Sequence, residues 1–163
     1  MSLRARVEVE LARRNPERHV HTLHTHLCTL LEPLVQTPIT VHFHRGTEAM
    51  ASFCSALFNV CESTGVKFDV SIVMHGMRRA ALFRATMMEH LDSTNIMQLN
   101  DDVVRGRHCG IHSILCRRTL RGVSGDILLV DDADKFGTDQ PEVDTLVTQA
   151  TQCLVPVLLT LSN

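Results

Sequence analysis

Two adjacent carboxylates, Asp131 and Asp132, are the side chains of this sequence that are best placed to do chemistry. They directly follow the apolar run Ile-Leu-Leu-Val at residues 127–130. A run that is short and apolar throughout predicts a strand buried on both faces of a parallel sheet. Open sheets of this kind bind ligands at the carboxyl ends of their strands, so the pair predicts a ligand site. The alternative is a strand followed by an acidic surface turn.

The run and its two acids resemble the acidic strand of P-loop NTPases, which is called Walker B. In those proteins the first acid holds Mg²⁺ and the second acts on the attacking water. The resemblance implies that Asp131 is the metal ligand and that Asp132 is the catalytic carboxylate. Asp132 stands where the family has glutamate, and aspartate is one methylene shorter.

A second candidate is the predicted strand, turn and helix of residues 39–51, where an NTPase would place its phosphate loop. Such a loop needs small residues, a helix N-terminus aimed at the phosphates, a lysine, and a serine or threonine for Mg²⁺. The turn Arg45-Gly46-Thr47 supplies the glycine and the threonine but no lysine, and Glu48 would repel phosphate. The alternative is an ordinary strand-to-helix turn.

Length and composition predict a globular domain with a sizeable core. Of the 163 residues, 44% are hydrophobic and 21% are charged, and a net charge of −2 gives no general attraction to nucleic acid. We expect no membrane span, because no apolar run approaches about 20 residues. Six cysteines without a Cys-x-x-Cys pair predict free thiols in a reducing compartment, cytosol or nucleus.

Hydrophobic periodicity predicts an α/β fold with a mostly parallel central sheet and helices on both faces. An N-terminal helical segment, residues 1–36, is expected to precede the main domain, residues 37–163. The segment includes an amphipathic helix at 16–34. In the main domain, strands are expected at residues 40–43, 66–74, 95–99, 110–116, 127–130 and 155–161, helices at 48–63, 77–91 and 140–152, and a loop or hairpin at 101–110.

The expected helix 77–91 combines an apolar face with three arginines. The predicted inward residues are Ala81, Leu82, Ala85, Met88 and Leu91. The arginines Arg78, Arg79 and Arg84 would then point outward. They would either contact nucleic-acid phosphates or serve as solvated or ion-paired surface groups.

Three motifs and the order of the elements resemble the ATPase domain of herpesvirus-type terminase large subunits, which are viral DNA-packaging motors. The motifs are His-Phe-His-Arg-Gly-Thr at 42–47, Leu-Leu-Val-Asp-Asp-Ala-Asp-Lys-Phe at 128–136 and Leu-Ser-Asn at 161–163. They correspond to the family's phosphate loop, acidic strand and coupling motif. The family's loop lysine is absent.

The resemblance implies a P-loop NTPase-like fold over residues 39–163, with ATP and Mg²⁺ as cofactors. It assigns the nucleotide to Arg45, Gly46, Thr47 and Ser162, the metal to Asp131 and the attacking water to Asp132. Ser162 would link the γ-phosphate state to motion. Because arginine does not reproduce the compact charge of lysine, we expect weak or absent hydrolysis.

The same resemblance implies a set of partners and a location. The partners are other terminase subunits, the portal and double-stranded DNA, and the chain would be compatible with a homo-oligomer. The location is the host nucleus. No membrane contact is expected.

Two other functions stay open from the sequence. The chain would keep the NTPase fold without its chemistry and serve as an interaction or scaffold domain. Alternatively, it would be a zinc-stabilised module, with ligands drawn from His24 and Cys28 or from a second cluster. The second cluster is His108, Cys109, His112 and Cys116.

Overall fold

The structure is a computed structural model that describes residues 3–14, 40–44, 47–115, 125–133, 141–153, 155 and 157–161. The helices in this part of the chain are α1 (Leu3–Arg14), α2 (Thr47–Thr64), α3 (Met77–Met88) and α4 (Pro141–Gln152), with a 3-10 turn at Ser93–Asn95. The strands are β1 (Thr40–His44), β2 (Phe68–Met74), β3 (Gln98–Leu99), β4 (Val103–Arg105), β5 (Cys109–Leu115), β6 (Ile127–Val130) and β7 (Val157–Leu161). From residue 40 onward, the predicted elements match these in type and lie within a few residues at their ends. The predicted helix 16–34 lies outside the described residues.

The strands form one seven-stranded sheet in the order β1-β7-β6-β2-β5-β4-β3. Strands β1, β7, β6, β2 and β5 run parallel to one another. Strand β4 is antiparallel to β5, and β3 is antiparallel to β4. Strands β3, β4 and β5 are consecutive in the chain and form antiparallel hairpins. The three-residue connections between them are too short for a parallel crossover. The predicted mostly parallel sheet and the predicted hairpin are therefore confirmed.

Helices cover both faces of the sheet. In β6, Ile127 and Leu129 face the core formed with α2 and α3, whereas Leu128 and Val130 face a second core that includes Leu146 of α4. All four β6 residues are buried, as expected for a parallel strand between two helical layers. The apolar run therefore owes its composition to burial on both sides.

Helix α1 shares the larger core. Its Val7 is fully buried in the same cluster as the α2 residues, and Leu3 packs at the edge of that cluster. No helix in the described ranges is both long and apolar enough to cross a membrane. The predicted domain boundary at residue 37 stays a prediction, since it lies in a range that the structure does not describe.

The predicted inward face of α3 is wrong for Ala81, Leu82 and Ala85, which are exposed, whereas Leu91, beyond the end of the helix, packs against the core as predicted. The buried residues of α3 are Ala80, Phe83 and Met87, while Leu82 is 59% exposed. The true face lies about one residue away around the helix, and it buries the larger phenylalanine and methionine side chains instead of alanines. The same rotation places Arg79 beside the sheet.

A carboxylate at the end of α2 joins this helix to the start of β5. Glu62 accepts hydrogen bonds from the backbone N–H groups of Arg107, His108 and Cys109 at 3.1, 2.7 and 2.9 Å. Gly106 makes room for it, because a Cβ atom there would lie 2.2 Å from the Glu62 Oε1. The contact fixes the C-terminal end of α2 beside the start of β5. The N-terminus of α2 lies at the opposite edge of the sheet.

The observed face of α3 leads to a stability prediction. Phe83→Ala should lower the free energy of unfolding by about 3–5 kcal/mol, because it leaves a cavity in the core. The matched variant Leu82→Ala should change it by less than about 0.5 kcal/mol, since that side chain is largely in solvent. Urea unfolding of both variants measures the difference, and a larger loss for Leu82→Ala would contradict the assigned face.

Candidate functional site

Asp131 and Asp132 lie at the carboxyl end of β6. The Asp131 N–H donates to the carbonyl of Val73 at 2.9 Å, so the pairing of β6 with β2 continues one residue beyond Val130. The side chains of the two aspartates are 0% and 1% exposed. An acidic surface turn is therefore excluded, and the pair is part of the protein interior.

Both carboxylates face one guanidinium group. Arg79 Nε donates to Asp131 Oδ2 at 3.1 Å, and Arg79 Nη2 forms an ion pair with Asp132 Oδ2. Neighbouring side chains of a regular strand would point to opposite faces. Asp132 has a φ of 49°, which takes the chain out of the strand conformation and lets both carboxylates reach Arg79. Aspartate is one of the residues that tolerate this left-handed conformation.

The burial of this cluster, Arg79 with Asp131 and Asp132, has a large electrostatic cost. Removing a charged group from water costs several kcal/mol, which only close pairing compensates. One guanidinium serves two carboxylates, so the three side chains together carry a formal charge of −1. Arg79 is 30% exposed and lies in the first turn of α3, so the cluster opens to solvent on the arginine side.

The prediction that all three arginines of α3 point outward is wrong for Arg79. Arg84 forms an ion pair with Asp101 at 2.8 Å, and Arg78 is exposed. The ion-pair alternative therefore holds for Arg79 and Arg84. Nothing in the sequence singled out Arg79, because its partners lie more than fifty positions away.

The carboxyl ends of β1 and β6 lie at the same edge of the sheet. Both strands run parallel to β7, which separates them, and His42 and Val130 pair with the same β7 residue, Leu159. Two strand spacings of about 4.8 Å put the strands about 10 Å apart. Helix α2 begins at Thr47, three residues after the last residue of β1. The start of α2 and the aspartate pair therefore lie at the same edge of the sheet.

The structure describes some of the predicted site residues and not others. Asp131 and Asp132 are brought together, and Thr47 is the first residue of α2. Arg45, Gly46 and Ser162 lie outside the described residues. Their assigned roles stay predictions.

The aspartate pair fits Mg²⁺ by the chemistry of its donors. Mg²⁺ is usually bound by one or two carboxylates together with waters and substrate phosphates. Asp131 and Asp132 are two such carboxylates, both buried and at the carboxyl end of one strand. Within the ranges that the structure describes, no group of three or more His, Cys, Asp or Glu side chains is arranged to hold a metal. A metal at the pair would therefore need oxygens from a nucleotide or from water.

The described part of the second His/Cys cluster does not converge. Cys109 is buried in the α2 side of the core, and its hydrogen bond to Cys61, followed by burial, raises the pKa of its thiol. A protonated thiol is a poor metal ligand. His112, three residues along the strand, lies on the opposite face. Cys116, His24 and Cys28 lie outside the described residues.

His112 belongs to a polar cluster on three neighbouring strands, β2, β5 and β4. Arg105 Nη2 lies 2.8 Å from His112 Nε2, and another contact of 3.5 Å joins it to Asp69. Arginine has no acceptor, so the imidazole nitrogen accepts this hydrogen bond. Burial lowers the pKa of His112 and the charge of Arg105 lowers it further, while Asp69 acts in the opposite direction. Neutral His112 is the form that fits the fold.

Comparison with known proteins identifies the fold. No family model matches the chain, and no curated protein sequence matches it. The comparison with solved structures shows that the chain has a terminase-like α/β fold. The crystal structure of the HK97 bacteriophage large terminase aligns with a TM-score of 0.70 at 11% sequence identity, over 99% of this chain and 38% of that one. The chain therefore spans well under half the length of that terminase.

The free energy of unfolding at mildly acidic pH should depend on His112. Its lowered pKa means that the unfolded chain takes up a proton at a higher pH than the folded chain does. The stability that neutral His112 contributes is then fully present above the ordinary histidine pKa of about 6.5. It is lost as the pH falls toward the lower pKa of His112 in the folded state. Urea unfolding at about pH 7.5 and about pH 5.5 should show a smaller loss for His112→Gln than for the parent.

The control for this measurement is His90→Gln, which alters an exposed histidine. This variant should keep the parent's dependence on pH. Equal slopes for His112→Gln and the parent would show that the Arg105–His112 contact has no part in acid stability.

Removal of the guanidinium should destabilise the fold. Arg79→Gln leaves two buried carboxylates without their cation and should cost about 3 kcal/mol or more of unfolding free energy. Arg78→Gln changes the exposed neighbour and should cost less than about 0.5 kcal/mol. Adding Asp132→Asn to Arg79→Gln should recover part of the loss, as measured by urea unfolding. Additive losses in that double variant would contradict the ion cluster.

Proposed function

We propose that this chain is the nucleotide-binding domain of a terminase-like DNA-packaging motor, weak or inactive in ATP hydrolysis. One observation supports this most strongly. The buried pair Asp131 and Asp132 lies at the same edge of the sheet as the start of α2, and only β7 separates β6 from β1. Carboxylates and a helix N-terminus at one edge of a parallel sheet are what a metal-bound triphosphate requires.

Each residue has a role in this proposal. Asp131 holds Mg²⁺, which when bound offsets charge on the phosphate oxygens, and Asp132 accepts a hydrogen bond from the attacking water. The N-terminus of α2 directs backbone N–H groups at the phosphates, with Arg45, Gly46 and Thr47 in the loop. Ser162, which follows β7, senses the γ-phosphate.

Three features support weak hydrolysis. The loop lacks the lysine that contacts the β- and γ-phosphates, and Arg45 is a poor substitute because its charge is spread over a planar group. Asp132 is shorter than glutamate. Arg79 already pairs with both aspartates, so a metal has to compete with it.

The partners and location follow from the same proposal. As part of a packaging motor, the domain would associate with other terminase subunits and the portal, and it would act on double-stranded DNA. A herpesvirus-type motor would work in the host nucleus. The solved relative in fold comes from a bacteriophage, so the type of virus is a separate proposal from the motor itself.

A scaffold role is the second candidate. The Arg79 ion pairs offset part of the negative charge of the aspartates within the protein, which is also how a domain that has lost its ligand would stabilise this edge. Such a domain would keep the packing of the sheet and bind neighbours through its surface. Nucleotide binding separates the two candidates.

Binding of a fluorescent ATP analogue, with and without Mg²⁺, tests the proposal. The parent should bind in a Mg²⁺-dependent manner, and Asp131→Asn should weaken binding by about tenfold or more because it removes a charged metal ligand. Asp132→Asn should retain binding and remove any residual turnover. Asp101→Asn is the control, since this exposed aspartate pairs with Arg84 and has no role in the proposed site.

Folding of each variant is checked by circular dichroism, because the two site aspartates are buried. A parent that binds no nucleotide in the presence of Mg²⁺ would refute the NTPase proposal and leave the scaffold role. Equal binding by the parent and by Asp131→Asn would refute the metal assignment alone.

A further inference from the structure

We infer that Arg79 is an exchangeable counter-ion, which holds the two aspartates in the nucleotide-free protein and moves to the phosphates when metal and nucleotide bind. In the second state it supplies the positive charge that the loop lysine would otherwise provide. This inference rests on the proposed nucleotide site and adds a residue to it. It requires that Arg79 compete with a metal and that it be able to leave.

The competition follows from shared atoms. Arg79 contacts Oδ2 of Asp131, the proposed metal ligand, and Oδ2 of the adjacent Asp132. Two cations at the same oxygens repel each other strongly at short range in a buried site. Arg79 and a metal ion therefore exclude one another from the pair.

The position of Arg79 allows it to leave. Its side chain is 30% exposed, whereas the two aspartates are almost fully buried, so the guanidinium lies between the carboxylates and solvent. It belongs to the first turn of α3, which follows Gly76 directly. A rotation of this long side chain would release the aspartates without moving β6 or the buried residues of α3.

The released guanidinium would be close to the phosphates. The ends of β6 and β1 lie at the same edge of the sheet, about 10 Å apart across β7, and α2 begins shortly after β1. A nucleotide bound between the aspartates and the start of α2 would place its phosphates beside the carboxylates that Arg79 has just left. Arginine binds phosphate oxygens through two parallel hydrogen bonds, so the exchange replaces one charge-assisted contact with another.

Metal binding in the absence of nucleotide isolates the first half of the inference. We would titrate the parent and Arg79→Gln with Mn²⁺ alone and count free Mn²⁺ by electron paramagnetic resonance. Arg79→Gln should bind Mn²⁺ at least about tenfold more tightly, because its competitor is gone. Arg78→Gln should match the parent, and Arg79→Lys should fall between the two.

The second half is measured by repeating the titration with a non-hydrolysable ATP analogue. The factor by which the analogue tightens Mn²⁺ binding should be about tenfold smaller in Arg79→Gln than in the parent, since the arginine no longer contributes to the phosphates. An unchanged factor would refute the phosphate role while leaving the competition standing.

The outcomes separate this inference from the proposed function. Tighter Mn²⁺ binding by Arg79→Gln, with no nucleotide binding by any variant, would refute the nucleotide site and support the counter-ion role. Unchanged or weaker Mn²⁺ binding by folded Arg79→Gln would refute the exchange itself. If Arg79→Gln does not fold, Arg79→Lys decides, because its predicted Mn²⁺ affinity still exceeds that of the parent.

Discussion

The ion cluster of Arg79, Asp131 and Asp132 joins the start of α3 to the end of β6 at the carboxyl edge of the sheet. Two carboxylates that are buried side by side require a cation, and the cation has to come from an element that ends at the same edge. Helix α3 meets this need because it starts directly after β2, the neighbour of β6. The rotation of α3 about its axis, and with it the choice of Phe83 for the core, agrees with the demand of the aspartates.

The sequence predicted what depends on local pattern. The buried strand β6 and the alternation of helices and strands follow from local pattern, and the structure has both. It did not predict what depends on distant pairs. Arg79 and Asp131 are 52 positions apart, and Glu62 bonds to amides 45 to 47 positions away. The face of α3 was wrong because alanine and leucine at helical spacing give two adjacent apolar stripes, and only packing against the sheet chooses between them.

The similarity to a large terminase rests on topology rather than on residues. At 11% identity few side chains are shared, yet nearly the whole chain aligns with a TM-score of 0.70. Many sequences satisfy the same layers of sheet and helix, because apolar residues of about the right size are sufficient for the core. Function is decided by a small number of placed groups. In the function proposed for this chain, those groups are the aspartate pair and Arg79, which forms ion pairs with both.

The contact between Glu62 and the turn before β5 restricts how this family of sequences can change. Two carboxylate oxygens accept from three amides, and glutamine would turn an N–H₂ group toward one of them. Any side chain at position 106 would occupy the space of that carboxylate. The same Cβ would also lie 2.8 Å from Cζ of the buried Phe58, so loss of the glutamate alone does not free position 106 for another residue. Positions 58, 62 and 106 are therefore constrained together at the join between α2 and the sheet.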